Sequence, residues 1–225
     1  MSNKEGKKHN ELETVEHALT SSEAFIEKYQ KQIIFGVGAI VVVVLAVLSF
    51  HNFYMGPREI AAENEMYKAQ AFFATDSFRV ALEGDGAESV GFKEIASDYG
   101  ITPSGKLAAA YTGICYFKLG QYENAIKYLN QYDGEDTYFK ASVIGLTGDS
   151  YVELGETSKA ISYFDKAADL ENAVMSPVYL KKAALVYESL NKPEDAEKDY
   201  LKIKEKYPKS TEAADIDKYI ARVQK

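Results

Sequence analysis

Apolar and polar positions alternate along this chain in three different ways. In the first 32 residues apolar side chains are sparse. Leu12, Val15, Leu19, Ile26, Tyr29 and Ile33 follow heptad spacing, with Ser22 the one miss. Two readings are open. The segment is either a short parallel coiled coil pairing two copies or an amphipathic helix lying on a bilayer surface. Residues 1–11 are polar and read as disordered. Ser21 or Ser22 is placed to cap a second helix, with Glu23 and Glu27 near its positive end.

From Ile33 to Phe50 the pattern has no polar face: IIFGVGAIVVVVLAVLSF, eighteen residues without a charge. At about 1.5 Å per residue it spans roughly 27 Å, close to a hydrocarbon core of about 30 Å. Tyr29 on one side and Phe53 and Tyr54 on the other suit the interfaces. The segment begins late for a secretory signal, is long for one, and no small-x-small site follows it. The expectation is one uncleaved transmembrane anchor over residues 33–54. Gly56-Pro57 then reads as a helix break.

Beyond the anchor the period becomes helical. Ile60 to Phe73 predicts a helix with Ala62, Met66, Ala69 and Phe73 on one face, and Gly84, Gly86 and Gly91 mark a loop. Phe92-x-x-Ile95-x-x-x-Tyr99 has the spacing of Tyr200-x-x-Ile203-x-x-x-Tyr207, so residues 56–105 read as a degenerate first helix pair. From Lys106 to Pro208 one unit is then written three times. Gly113-x-x-Tyr116-x-x-Leu119-Gly120 is followed by Ala125 and Leu129. Gly148-x-x-Tyr151-x-x-Leu154-Gly155 is followed by Ala160 and Phe164. Ala184-x-x-Tyr187-x-x-Leu190-Asn191 is followed by Ala196 and Tyr200. Steps of about 35 residues indicate stacked helical repeats. Small residues recur where two helices approach, large ones where a gap must be filled. Gly or Asn accepts the left-handed turn that ends each first helix. Second helices are predicted to start near Gln121, Ser158 and Pro193. Residues 210–225 read as a capping helix with Ala213, Ile216 and Ile220 as its apolar stripe and Ser210 as its cap.

This pattern resembles the tetratricopeptide repeat, over about 103 of 225 residues. The small residue, Tyr, Leu-Gly, Ala, aromatic and late Pro (Pro208) of that family are met in most positions. Its early Trp is absent. The resemblance implies an all-α fold: an N-terminal transmembrane helix, then three repeats over 106–209. The whole layout also resembles the bacterial single-pass tetratricopeptide proteins described as ancillary subunits of the Sec translocon. That likeness implies an inner-membrane protein with its repeats in the periplasm, assisting exported proteins and their chaperones.

Composition narrows the chemistry. Net charge is −8 and no basic face stands out, which argues against nucleic acid. The single Cys115 excludes an internal disulfide, and all three histidines precede residue 56. Ser-His and Cys-His sites and histidine metal sites are thereby removed from the repeats. No enzyme and no cofactor is expected. In repeats of this kind the first helices line an inner groove. The register assigns Leu107, Ala110, Tyr111, Ile114 and Phe117 to it in the first unit. Asp149, Val152 and Glu153 follow in the second, with Ser142, Gly145 and Leu146. Lys181, Lys182 and Leu185 follow in the third, with Val178 and Glu188. Relatives that grip chaperone C-termini use Lys, Asn and Arg here. Ala110 and Ile114 depart from that clamp, and an apolar groove suits a hydrophobic peptide or helix. The preceding helix pair covering these residues is the competing reading.

Two functions are therefore open. One is a membrane-anchored protein–protein interaction module for export, with the translocon, exported chains or chaperones as partners. The other is a self-associating structural scaffold for an envelope assembly, joined through the tail. Lys28 and Lys31 before the anchor face Arg58 and Lys68 after it, and Lys4, Lys7 and Lys8 add to the tail. The bias favours a cytoplasmic N-terminus. A reporter active only outside the cytoplasm, fused after Lys225, is expected to be active. Activity of a cytoplasm-only reporter there reverses the topology.

Overall fold

Three small residues, each facing a large one, set how the helices of this protein pair. The structure, a computed structural model, describes the backbone from residue 3 and side chains from residue 26. It divides into Met1–Gly56 and Pro57–Lys225.

The first unit is one helix, α1 (Asn3–Ser49), followed by a π-helical turn, Phe50–Met55. Its apolar stretch has a mean hydropathy of 3.0 and no buried residue, so it is long and apolar enough to cross a membrane. Leu12, Val15, Leu19 and Ser22 of the heptad lie outside the described side chains. The backbone is helical through residues 3–11 and through Ser21 and Ser22, so neither a disordered start nor a second helix at those serines is found. The expected break at Gly56-Pro57 is also absent, because helical backbone resumes at α2 (Gly56–Ala74). The Gly56 N–H reaches the His51 carbonyl, five residues back. This wide turn relieves the clash of a proline ring with the preceding turn.

The second unit contains α2 to α11 and, among the described residues, no strand. After α2 come α3 (Phe78–Glu83), α4 (Phe92–Asp98), α5 (Pro103–Lys118), α6 (Tyr122–Leu129), α7 (Thr137–Glu153), α8 (Thr157–Ala168), α9 (Met175–Ser189) and α10 (Pro193–Lys206). A 3-10 turn, Glu212–Asp215, leads into α11 (Ile216–Val223). Helices α5/α6, α7/α8 and α9/α10 are the three repeated pairs. A Cβ on Gly113 would stand 2.6 Å from Leu129 Cγ, and one on Gly148 would stand 2.6 Å from Phe164 Cε1. Ala184 and Tyr200 hold the same places in the third pair, both fully buried, as are Ala125, Ala160 and Ala196. The first helix of each pair ends where Gly120 (φ 72°), Gly155 (φ 75°) or Asn191 (φ 55°) turns left-handed. Pro193 opens α10 at its first position.

Capping residues fix where first helices begin. Thr102 Oγ1 accepts from Gly105 N at 3.1 Å, and Asp136 Oδ1 from Phe139 N at 2.7 Å. Buried hydroxyls are satisfied along their own helices, Thr112 on the Ala108 carbonyl and Thr147 on that of Val143. Ahead of the repeats, α2 and α4 both contribute to the core that α5 closes. Phe92 and Ile95 are fully buried, like Tyr200 and Ile203, and Tyr99 and Tyr207 both occupy the C-cap. Helix α3 went unread because six residues are too few to show a period. The Glu59 carboxylate accepts from Ser104 N (3.1 Å) and Oγ (2.7 Å) at the positive end of α5, tying α2 to it. At the other end Ile216 and Ile220 are buried against α9 and α10, and Ser210 Oγ accepts from Ala213 N at 3.2 Å.

Gly148→Leu is expected to destabilise the protein by about 1–3 kcal/mol or more, since Phe164 and the Ala160 carbonyl leave the new side chain no room. Ser162→Ala, on the exposed face of α8, is expected to stay within about 0.5 kcal/mol. Thermal melts of the full chain in detergent check both. Equal losses would contradict the close approach at Gly148.

Candidate partner-binding groove

Residues one repeat apart take corresponding places, and this sorts the expected groove residues. Tyr111, Leu146 and Lys182 share one register position. Ile114, Asp149 and Leu185 share the next, then Phe117, Val152 and Glu188. Ala110, Gly145 and Lys181 share another, and it does not face the groove.

That position meets the following unit. Ala110 is fully buried. A Cβ on Gly145 would overlap Tyr179 of α9, at 1.9 Å from its Cε1. Lys181 is followed by α11 and pairs with Asp215 at 3.2 Å, its ammonium 4.1 Å from the centroid of the Tyr219 ring in that helix. The expectation that Ala110, Gly145 and Lys181 line the groove is therefore corrected: a side chain here is taken up by its neighbouring unit. Tyr111 is corrected in part. Its ring stacks on Phe92 with centroids 4.8 Å apart and meets Phe73 edge-on at 5.1 Å, so α2 and α4 cover it. The first helix pair thus does shield the start of the groove. Leu107 belongs elsewhere too. It lines a cleft of about 480 Å³ with Pro103, Ser104 and Tyr132, bordered by the Lys106–Asp133 ion pair.

Ile114 and Phe117 are brought together with residues of α7. They line a hollow of about 230 Å³ with Phe139, Ser142, Leu146, Asp149 and the edge of Tyr179. Farther along, Val152 is 40% and Leu185 44% exposed. Glu153 is exposed, and burial together with this carboxylate raises the pKa of Tyr122. Lys182 spans from α9 to α7 and donates to both Asp149 oxygens at 2.7 Å. Both partners are partly exposed, so the pair is worth at most about 1 kcal/mol, and it neutralises the floor of the groove. Burial, and then the Asp149 charge, push the Tyr179 hydroxyl up to about 12, so it stays a neutral donor. Glu188 closes the far end. Burial alone would raise its pKa, but Arg222 at 2.6 Å and the Tyr200 hydroxyl at 2.5 Å hold it below the usual range. Cys115 is buried in the core behind this surface, which pushes its thiol up to about 12 and keeps it unreactive.

The register count missed Phe139 and Tyr179. Phe139 stands three and seven residues before Ser142 and Leu146, so carrying the face back one turn would have found it. For Tyr179 the signal was Gly145. A glycine within α7, where the first unit has Ala110, is the socket for a larger side chain from the next unit.

Comparison with known proteins agrees with this architecture. Two profiles of the tetratricopeptide repeat family match, over residues 111–133 and 146–211. Over those two stretches the chain matches the tetratricopeptide repeat. A tetratricopeptide repeat protein from Parabacteroides merdae has a TM-score of 0.57 at 20% identity, covering 72% of this chain and 60% of that one. A crystal structure of a point variant of the nearly identical TPR-like repeats of a putative kinesin light chain from Podosopora anserina has a TM-score of 0.55 at 11% identity. It covers 76% of this chain and 87% of that one. At these identities the likeness is one of fold. No curated protein matches the chain in sequence.

The division between packed and open positions has a direct check. Tyr111→Ala is expected to cost about 1–3 kcal/mol, since its ring is partly buried against Phe73 and Phe92, and Leu185→Ala about 0.5 kcal/mol or less. Melting temperatures of the two variants measure this. A larger loss for Leu185→Ala would place the groove on another face.

Proposed function

We propose that this repeat protein is a membrane-tethered binding module, which receives an apolar segment of a partner along its first helices and serves protein export at a bacterial inner membrane. The observation that carries the reading is the hollow between α5 and α7. Ile114, Phe117, Phe139 and Leu146 are only half-buried around a space that takes about one large apolar side chain. Covering such surface is worth about 25 cal/mol per Å². Val152 and Leu185 extend it across the next two units.

The charges support an apolar ligand over a terminal carboxylate. Lys182 is engaged by Asp149 and Lys181 by Asp215, while Ala110 and Ile114 stand where a clamp would need polar side chains. The apolar part of α1 supports an anchor, and the lysines before it support a cytoplasmic N-terminus with the repeats in the periplasm. Exported chains and their chaperones are the partners that such a position offers.

A photo-crosslinking residue placed at Phe117 or at Leu185 of the full chain, in its own membrane, is expected to trap translocon subunits, exported chains or their chaperones. One at Ser162, on α8, is the control and is expected to trap none. Trapping only further copies of this chain replaces the export reading with a self-associating scaffold. Trapping at Ser162 and not at the groove positions overturns the groove.

A further inference from the structure

The two ends of the repeat domain are finished differently. Helix α11 buries Ile216 and Ile220 and exposes Asp217, Lys218, Ala221 and Arg222. A terminal helix of a repeat stack needs such a polar outer face. Helix α2, at the other end, buries Ala62, Met66 and Ala69 on one face. Its opposite face carries Ile60, 62% exposed, and Tyr67, 76% exposed. Pro57, Asn64 and Ala71 are exposed in the same strip. The five are spaced by three and four residues in turn, which is the seam of a heptad repeat. A helix apolar on both sides is built to be covered on both sides.

The charges beside the strip say what covers it. Glu63 stands exposed on one flank and Lys68 on the other, five residues apart. In a parallel two-stranded coil, the residue just before one seam position meets the partner's residue just after the next, and that step is five. Two copies therefore set Glu63 of each against Lys68 of the other, twice by symmetry. Lys68 donates to the Glu88 carbonyl at 2.9 Å and has two further N–H donors. The other charged groups near the covered face of α2 are used within the chain. Arg58 donates to the Asp98 carbonyl, Glu59 accepts from Ser104, and Glu65 accepts from the Tyr99 hydroxyl at 3.1 Å. Asn64 lies mid-seam, where an asparagine pairs with its counterpart and fixes register and strand number at some cost in stability. An apolar strip meant for lipid would be flanked by cations, and here one flank is Glu63.

We propose that α2 of one copy of this chain pairs with α2 of a second copy, side by side and in the same direction. Ile60 and Tyr67 then meet their own counterparts across the seam. Over residues 57–71 the seam is about 22 Å long, at about 1.5 Å per residue, which is short for chains that meet by diffusion alone. Two copies anchored in one membrane send α2 out the same way and meet at a high effective concentration. The inference rests on the anchor reading for that shared direction only, and not on what the groove binds.

Single cysteines test it, in the full chain in its own membrane under a mild copper–phenanthroline oxidant. Ile60→Cys, Asn64→Cys and Ala71→Cys are each expected to give a disulfide-linked dimer on a non-reducing gel, because in a parallel pair every seam position faces itself. Ser162→Cys, on α8, and the wild type, whose one Cys115 is buried, are expected to give none. In the Asn64→Cys chain, adding Glu63→Lys is expected to cut the dimer yield several-fold, and adding Lys68→Glu to that is expected to restore it. No dimer at the three positions, or as much at Ser162→Cys, overturns the pairing. Dimer at Asn64→Cys alone means the helices cross or run antiparallel, and also overturns it. So does a yield that Glu63→Lys lowers and the charge swap fails to recover. The same three disulfides formed by chain in the soluble fraction would remove the anchor and leave the pair standing.

Discussion

Everything in the repeat unit depends on how closely the two helices of each pair can approach. At Gly113 and Gly148 there is no space for even one carbon, because Leu129 and Phe164 already occupy it. The contact is a fixed sum of volumes: a small residue on the first helix, a large one on the second, and a fully buried alanine one turn before it. Interiors are packed to crystal-like density, so this sum sets the distance between axes within tenths of an ångström. The left-handed residue that ends each first helix turns the chain back at that distance.

A second volume match governs how one pair stacks on the next. At the position of Ala110 and Gly145, the size of the residue is answered by the facing unit. A buried Val143 stands in the unit after the alanine and Tyr179 in the unit after the glycine, at the same register position one repeat apart. In the third unit Lys181 reaches to Asp215 of the 3-10 turn and to Tyr219 of α11. One register position thus serves as a joint twice and as a cap contact once. The same stacking removes Tyr111 from the groove and leaves Ile114 and Phe117 open. At the N-terminal end the covering helices are the chain's own α2 and α4, and farther along nothing equivalent among the described residues crosses the first helices.

Charge is distributed to suit this division. On the groove side Asp149 and Lys182 cancel, leaving a floor that is neutral and largely apolar. On the side of the second helices Asp165 and Asp195 act on Asp199, and Lys202 and Lys198 offset them only in part. The acidic balance of the chain, a net −8, is therefore expressed as local repulsion within the fold as well as in its surface.

The sequence by itself determined the helix pairs, their left-handed turns, the small-to-large contacts and the long apolar helix. Each is written in residues close in the chain, and their periods of about 3.6 and about 35 survive any detail of packing. It also set the register in which candidate groove residues recur, such as Ile114, Asp149 and Leu185, while Phe139 and Tyr179 escaped it. The tertiary structure alone decided which of them are open. Whether Ala110, Tyr111 or Lys181 meets solvent depends on side chains of the next unit or of another helix pair altogether, and no local period carries that information. The continuation of helix through Pro57 was decided the same way. A proline signals a break, and only the geometry of the π-helical turn before it shows how the clash is avoided.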